Sequence, residues 1–293
     1  MLLLTGATGS IGSRLLPLLL EQGEDVRCLV REPRRLGSRR VDVQIALGDL
    51  GEMSDPYLVR QALRGVDTVV HLAATIRDQP PHRIEELNGL ATVRLLRAAE
   101  RSGVKRFVFF SALDAQAAQR TRFFRAKWLA ERAVDSSPLA TTVFAPSIVY
   151  DHSDPWITLL RRFSFLPVLP VSGAGQARFE PIWADDAARC VAASLATEPR
   201  PRHELAGPEA MSYDEMSDLV SRVAGRPRPL VHLPLPLVRA GLIGLRSVFG
   251  EAVFATWEEA ELMEVSMISE RGTADAEALG VKPRRMSDVL EDS

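Results

Sequence analysis

After Met1 the chain reads Leu2-Leu3-Leu4-Thr5-Gly6-Ala7-Thr8-Gly9-Ser10-Ile11-Gly12, which predicts a strand, a glycine turn and a helix start. The apolar run is typical of a strand buried on both faces, and the glycines allow a tight turn and a close approach to a ligand. The helix predicted from Ser10 to about Gln22 directs its unpaired N–H groups and positive dipole end at an anion. A dinucleotide site is therefore predicted, with its pyrophosphate over this turn. The contacting residues are Gly6, Thr8, Gly9, Ser10, Ile11 and Gly12.

A turn with no ligand is the alternative interpretation, because glycine-rich turns open many strand–helix units. The context favours a ligand. The pattern follows a strand, precedes an amphipathic helix and begins a series of strand–helix units.

Composition places the chain among globular proteins. Its 293 residues are 46% hydrophobic, which is enough for a large core. The net charge of −2 gives no bulk electrostatic reason to expect nucleic acid as a partner. Cys28 and Cys190 form no disulfide framework, Cys28 is predicted in the core, and no metal-ligand spacing appears. Without a basic leader or cleavage site, a cytoplasmic location is expected.

Strands and helices are predicted to alternate up to Tyr150. The predicted strands cover residues 2–4, 25–30, 41–47, 67–72, 103–110 and 140–145. This order predicts an α/β fold with a Rossmann-type, doubly wound, mostly parallel sheet. Prolines become frequent after Tyr150. We therefore predict a dinucleotide-binding domain at 1–150, to which 177–198 returns, and a smaller substrate or lid region at 151–176 and 199–293.

The loop after the second predicted strand bears on the cofactor. Arg31 lies near the position where an NAD site carries a carboxylate for the ribose 2′-OH, and Arg34 and Arg35 follow it. Guanidinium groups suit a 2′-phosphate, so NADP(H) is favoured and NAD(H) remains the alternative. Glu32 in the same loop is a carboxylate and favours NAD(H) instead. A solvated basic loop is the interpretation without a ligand.

Further candidates follow the third and fourth predicted strands. Asp49, next to Leu50, is placed to accept a hydrogen bond from the adenine amino group. Its alternative role is to cap the next helix, for which Ser54 or Asp55 is better placed. Ala73 and Ala74 are small enough for a ribose to lie against the backbone. His71, within a buried strand, is interpreted as a hydrogen-bonded core histidine rather than a catalytic base.

Several motifs together resemble the short-chain dehydrogenase/reductase superfamily in its extended-to-atypical branch. The chain is similar to NAD(P)H-binding proteins related to the accessory nucleotide-binding subunit of respiratory complex I. The matching pieces are 5–12, Gly48-Asp49-Leu50, His71-Leu72-Ala73-Ala74, Asn88, 103–108, 145–150 and 181–186. The resemblance implies that Lys127 bonds the nicotinamide ribose, Ser111 lies beside the substrate oxygen and Pro146 lies against the nicotinamide. It also implies that Arg31 carries the 2′-phosphate preference.

Phe123 departs from this pattern. The superfamily has a tyrosine four residues before the lysine, and a phenyl ring can neither donate nor accept its proton. Two interpretations stay open. In one, the protein is an oxidoreductase whose proton comes from Tyr150, Ser111 or water. In the other, it is a non-catalytic redox sensor or a structural or assembly subunit. Tyr150 is interpreted as a pocket-lining aromatic in preference to an acid.

The smaller region supplies the predictions about partners. Its apolar residues indicate a small apolar substrate, although they are also suited to form the region's own core. They are Trp156, Phe163, Phe165, Leu166, Val168 and Leu169. Residues 233–249 are apolar and carry Arg239 and Arg246. We predict a helix there that covers the substrate pocket, in preference to one that lies on a membrane or a partner. No oligomeric state is predicted.

Overall fold

The protein is described from a computed structural model, which covers residues 1–52, 55–249 and 256–292. The strands are β1 Leu2–Thr5, β2 Val26–Val30, β3 Gln44–Leu47, β4 Thr68–His71, β5 Arg106–Phe110, β6 Ala140–Pro146, β7 Val149–Tyr150, β8 Leu169–Ser172, β9 Arg178–Phe179, β10 Ile182–Trp183, β11 Arg202–Leu205, β12 Met211–Ser212 and β13 Leu230–Leu233. The α-helices are α1 Gly12–Glu21, α2 Pro56–Leu63, α3 Ala91–Glu100, α4 Arg122–Asp135, α5 Pro155–Phe163, α6 Ala184–Leu195, α7 Tyr213–Val223, α8 Leu235–Phe249, α9 Trp257–Leu262, α10 Ala274–Ala278 and α11 Met286–Glu291.

Seven parallel strands form the central sheet in the order β3-β2-β1-β4-β5-β6-β11. The strand order reverses between β1 and β4, and a crevice opens there at the carboxyl ends of the strands. The predicted Rossmann-type fold is confirmed. All six predicted strands are present, although β3 begins at Gln44 because a 3₁₀ segment, Pro33–Val41, precedes it.

The seventh strand, β11, corrects the predicted division of the chain. Its residues 202–205 fall in the range assigned to the smaller region, yet they pair with β6 at the edge of the central sheet. The reason is its mixed sequence, Arg202-His203-Glu204-Leu205, in which only His203 and Leu205 are buried. An edge strand of this kind has no continuous apolar run to mark it.

Helices cover both faces of the sheet. On one face α1 packs against α6, and Leu15, Leu19, Ala187 and Val191 share a core with β1 and β2. Cys28 lies in this core, as predicted. On the other face α2, α3 and α4 bury Leu63, Leu95 and Ala130 against Phe107 and Phe109. Both faces are closed, which explains the apolar runs 2–4 in β1 and 107–110 in β5.

A second core lies beyond β6. Its strands form two-stranded pairs, β7 with β10, β9 with β12, and β8 with β13. Helices α5, α7 and α11 pack around them, and the core includes Ile157, Leu169, Phe179, Met216 and Val289. Leu169 therefore belongs to the region's own core, while Phe165, Leu166 and Val168 are exposed.

Helix α8 lies at the surface over the residues whose side chains are described. Among residues 235–244 none is buried, and Leu237 is 67% exposed. The helix packs against α9, and none of its residues 235–244 lines the cleft beside the glycine turn. The predicted cover over the substrate pocket stays a prediction. In the described ranges, no helix combines the length and the apolar character needed to cross a bilayer.

Candidate nucleotide-binding site

The glycine turn between β1 and α1 is shaped by two close backbone approaches. Gly6 has a φ of +75°, and a Cβ there would lie 2.7 Å from the Ala73 nitrogen. A Cβ on Gly12 would lie 2.1 Å from the Gly6 oxygen. Gly9 is less restricted, since its Cβ would stand 3.3 Å from the same oxygen. Gly6 and Gly12 are therefore required by the fold, whereas Gly9 leaves the backbone open to a ligand.

The start of α1 offers donors for an anion. The helix begins at Gly12, two residues later than predicted, with no acidic residue in its first turn. Within the described ranges, the backbone N–H groups of Ser10, Ile11 and Gly12 have no hydrogen-bond acceptor. Unpaired donors and the helix dipole at this point suit a pyrophosphate.

Two side chains brace this turn, and the sequence analysis did not identify either contact. The Ser10 hydroxyl donates to Asp151 Oδ2 at 2.5 Å. Arg14 donates to Asp151 at 3.2 Å and to Asp185 at 2.7 Å. Burial alone would raise the pKa of Asp151, but hydrogen bonds from Ser10 and Ser153 and the charge of Arg14 lower it. The loop after β7 is thus tied to the glycine turn. Nothing in the spacing of residues 10 and 151 indicates this contact.

A cleft of about 310 Å³ opens at the point where the strand order reverses. It brings together residues from the ends of β1, β2, β3 and β4. The predicted residues that line it are Gly6, Thr8, Gly9, Arg31, Asp49, Leu50, Ala73 and Ala74. Arg35, Thr75 and Gln79 also line it.

Basic side chains mark the end of the cleft beside β2. Arg31 Nη1 donates to Gln79 Oε1 at 2.8 Å and lies 3.4 Å from Asp49 Oδ2. Arg35 lines the same cleft and makes no ion pair with the described part of the chain. One guanidinium is held in place and a second is available, an arrangement that suits a phosphate.

Asp49 already uses its carboxylate within the protein. Oδ1 accepts from the Gly51 nitrogen at 2.8 Å, and Oδ2 faces Arg31. Asp55, rather than Asp49, caps α2 by accepting from the Tyr57 nitrogen. Ser54, the other predicted cap, lies outside the described residues. Asp49 lines the cleft, and its predicted contact with adenine stays a prediction.

His71 is a core residue, as predicted. Its Nδ1 lies 2.7 Å from Thr5 Oγ1, and its Nε2 lies 2.9 Å from Thr92 Oγ1. Because the Thr92 hydroxyl donates to the Asn88 oxygen, it accepts from Nε2, and Nδ1 accepts from Thr5. Burial lowers the pKa of His71 to about 3. The ring is therefore neutral and structural.

Asn88 fixes the loop that forms one wall of the cleft. Its Oδ1 accepts from the Thr75 nitrogen at 3.0 Å, and its Nδ2 donates to the Thr75 oxygen at 2.8 Å. The residue lies in a π-helical turn, Glu86–Leu90, that leads into α3. Such turns often re-aim side chains at functional sites. Asn88 thus points inward, as expected, and holds the loop at Thr75 in place through these hydrogen bonds.

Lys127 is on the buried side of α4, beside β5, and does not line this cleft. Nζ donates to the Phe110 oxygen at 2.6 Å and stands 5.0 Å from the Phe109 ring centroid. The ring of Phe123 is 5.7 Å away. Burial lowers the pKa of Lys127 to about 7. In the described ranges no carboxylate forms an ion pair with Lys127, so no opposite charge offsets the effect of burial.

The Ser111 hydroxyl is hydrogen-bonded to a carboxylate of α4, the helix that also carries Lys127. Its hydroxyl donates to Glu131 Oε2 at 2.5 Å, and Arg202 pairs with the other oxygen of Glu131. Glu131 lies one turn after Lys127 on α4, but its contact with Ser111 joins residues 20 positions apart, so the local sequence gives no signal of it. Pro146 ends β6, and its oxygen accepts from the Leu113 nitrogen at 2.8 Å. Neither Ser111 nor Pro146 lines the cleft.

Tyr150 is separated from solvent. Its side chain is fully buried in the core of the smaller region. Its hydroxyl has no hydrogen-bond partner in the described part of the chain. Burial raises the pKa of Tyr150, and Asp186 and Glu209 raise it further. These surroundings favour the interpretation of a buried aromatic over that of an acid.

Fold, glycine turn and cleft define a nucleotide-binding protein of the short-chain dehydrogenase/reductase class. Free N–H groups, the glycine cradle and the cleft arginines all fit NAD(P)H. A family model described as NAD(P)H-binding matches residues 6–162. The chain belongs to this family, in the atypical branch of the superfamily.

Two relatives show which kinds of protein this chain is similar to. The NAD(P)H azoreductase of Xenophilus azovorans is 30% identical over 84% of this chain and 81% of its own length. A mitochondrial subunit, "NADH dehydrogenase [ubiquinone] 1 alpha subcomplex subunit 9" of Arabidopsis thaliana, is 26% identical over 80% of this chain. The match spans 60% of that subunit's length.

A solved structure supports the fold. The NADPH-dependent quinone oxidoreductase of Escherichia coli, complexed with NADPH, superposes with a TM-score of 0.78. The alignment covers 100% of this chain and 99% of the other, at 17% identity. At that identity the likeness concerns the fold alone.

Proposed function

We propose that this protein is an NADP(H)-dependent reductase that acts on a small, apolar, conjugated acceptor. The observation that carries the proposal is the cleft beside the glycine turn, which Gly6, Thr8 and Gly9 line and which Arg31 and Arg35 border at the β2 end. When bound, NADPH would supply a hydride. Residues of this chain bind, orient and shield it.

NADP(H) is preferred over NAD(H) in this proposal because of the arginines. Arg31 is already fixed by Gln79, so it would reach a 2′-phosphate with little loss of side-chain entropy. Arg35 adds a second guanidinium. Glu32 is exposed and makes no ion pair within the described ranges, so it does not neutralise them. Lys127 is proposed to hold the nicotinamide ribose.

The residue at position 123 supports the choice of acceptor. Hydride addition to a simple ketone produces an alkoxide, which requires a positioned acid at the same moment. Phe123 has no proton to give, Ser111 donates to Glu131, and Tyr150 is buried. A quinone-type or azo-type acceptor spreads the negative charge after hydride addition, so a proton from water suffices. Such an acceptor therefore needs no proton donor from the protein at this site. The azoreductase relative agrees in its class of substrate.

A second candidate is a protein that binds the nucleotide without turnover. The same three residues favour it, since none offers a free acid next to Lys127. Similarity to a respiratory complex I subunit is consistent with a structural role.

NADPH oxidation against a panel of acceptors separates these candidates. The panel contains quinones, azo dyes, aliphatic aldehydes and aliphatic ketones. We expect turnover with conjugated acceptors and little with the aliphatic ones, and faster turnover with NADPH than with NADH. Tight NADPH binding without oxidation by any acceptor would favour the non-catalytic candidate.

A further inference from the structure

Two segments of the chain contain arginine but no acidic residue. They are residues 155–179 and 219–250, in a chain that has 38 acidic residues in all. Their arginines are Arg161, Arg162, Arg178, Arg222, Arg226, Arg228, Arg239 and Arg246. Both segments are otherwise rich in leucine, valine and proline. A local charge bias of this kind indicates an anionic partner even though the net charge of the chain is near zero.

The fold brings the two segments together. Strand β8 of the first pairs with β13 of the second, from Leu169 opposite Leu230 onward. Arg228 Nε donates to the Ser164 oxygen at 3.0 Å. The Arg226 guanidinium lies 4.0 Å from the ring centroid of Phe165. The pairing therefore joins two basic, apolar segments into one surface.

Large apolar side chains are exposed along this surface. They are Phe165 at 67%, Leu166 at 45%, Val168 at 36%, Val231 at 41%, Leu233 at 39%, Leu237 at 67% and Ile243 at 54%. We call these seven residues, with Arg162, Arg226 and Arg239, the docking face. Many exposed large apolar side chains within two joined segments indicate an interaction site.

A cleft at the edge of the docking face adds a place for an anionic group. It has a volume of about 620 Å³, and its lining includes Arg161, Phe165 and Arg226. Glu291 lines it too, and Arg222, on the same wall, pairs with Asp218 at 2.8 Å. Arg161 and Arg226 make no ion pair with a described carboxylate. Two cations remain available to a phosphate.

We propose that the docking face binds the surface of a bilayer that contains anionic phospholipid. Apolar side chains would enter the boundary between headgroups and acyl chains, while the arginines contact lipid phosphates. The charge pattern favours a bilayer over a second copy of the chain, because a two-fold contact would oppose arginine-rich faces to one another. The proposed binding to a bilayer does not rest on the proposed reductase function.

Vesicle co-sedimentation tests the proposal. The full chain is mixed with vesicles of phosphatidylcholine alone or with 30% phosphatidylglycerol, at low and at high salt. We expect binding to the anionic vesicles that falls as salt rises. Arg162→Glu with Arg226→Glu should weaken it by about tenfold or more, at about 1 kcal/mol for each arginine near the membrane. Leu237→Asp should weaken it as well.

Matched controls use exposed residues elsewhere. Arg94→Glu with Arg97→Glu changes the same charge on α3, and Val41→Asp places an acid at a residue 80% exposed. Both should bind vesicles like the unchanged chain, and NADPH binding by every variant reports intact folding. A chain that stays in the supernatant with anionic vesicles at low salt overturns the proposal. A dimer in solution that Leu237→Asp converts to a monomer also overturns it, in favour of a contact between copies.

Discussion

The two halves of the nucleotide site are built in different ways. At the proposed adenosine half, strand ends, a glycine turn and two arginines form an open cleft. At the proposed nicotinamide half, Lys127 is bonded to a backbone oxygen, Ser111 is bonded to Glu131, and Phe123 stands where the superfamily that the chain resembles has an acid. One half is ready for a ligand, and the other keeps its polar groups bonded to the protein.

This difference separates binding from chemistry. Phosphate recognition depends on backbone geometry, which the fold supplies once the glycines are in place. Proton transfer depends on one side chain at one position, and a single substitution removes it. A chain can therefore keep the first property while losing the second. The following predictions test each half in turn.

The largest effect is expected at the glycine turn of the adenosine half. Gly12→Ala places a Cβ 2.1 Å from the Gly6 oxygen and 2.8 Å from the Ala7 Cα. Backbone atoms cannot move aside like a flexible side chain, so we expect a loss of about 3 kcal/mol or more and no NADPH binding. Chemical denaturation and calorimetry measure both. Gly9→Ala is the control and should fold normally; equal damage from both would show that the two glycines are not distinct.

The next effect concerns the buried charge of the nicotinamide half. Burial lowers the pKa of Lys127 to about 7, while the unfolded chain keeps this proton to about pH 10. Between those values the folded state binds fewer protons, so its stability rises with pH. We expect Lys127→Met to be about 1–3 kcal/mol more stable than the unchanged chain at pH 6, with the gap shrinking toward pH 10.

Urea unfolding at pH 6, 8 and 9.5 measures this gap. Lys105→Met is the matched control because Lys105 is exposed, and its effect should not follow the same trend. A gap for Lys127→Met that is constant across the range would show that the amine is not an uncompensated buried cation.

An effect of comparable size is expected from the arginines at the edge of the proposed adenosine half. Arg31→Ala with Arg35→Ala removes both guanidinium groups from the cleft. We expect NADPH affinity to fall about 10- to 100-fold, from about 1.5–3 kcal/mol of charge-assisted hydrogen bonding, with little change for NADH. Arg39→Ala with Arg40→Ala, in the exposed part of the same 3₁₀ segment, should leave both affinities unchanged. Equal losses for both nucleotides would remove the 2′-phosphate interpretation.

The smallest effect is expected from restoring an acid to the nicotinamide half. Phe123→Tyr places a hydroxyl one helical turn before Lys127, on the same face of α4. We expect reduction of aliphatic ketones to rise about fivefold to tenfold, only part of what a well-positioned acid supplies. Quinone reduction should stay within about twofold, because it needs no acid at that step. Phe123→Leu is the control. A large gain with quinones would contradict the proposed acceptor class.

Local patterns in the sequence indicate which residues come together at the cleft of the proposed adenosine half. The glycines of the turn, the small pair Ala73-Ala74 and the arginines after β2 all lie where a strand end places them. His71 was placed in the core because a buried strand leaves its ring no solvent. The periodicity of the apolar residues and the residue types in the turns carry this information.

The remaining features depend on tertiary contacts that local patterns do not encode. Glu131 meets Ser111 only because α4 crosses the end of β5. Asp151 meets Ser10 across 141 positions of sequence. Helix α8 has the composition of a buried cover, yet none of its residues 235–244 is buried, and β11 has no apolar run. In each case the deciding contact joins elements that are distant in the chain.

A calorimetric comparison of NADPH with adenosine 2′,5′-bisphosphate tests the contrast between the two halves most directly. The bisphosphate carries the adenosine half of the cofactor and none of the nicotinamide half. We predict that it binds within about tenfold of NADPH, since the preformed cleft supplies most of the affinity. No heat of binding for the bisphosphate, with clear binding of NADPH, would contradict the account.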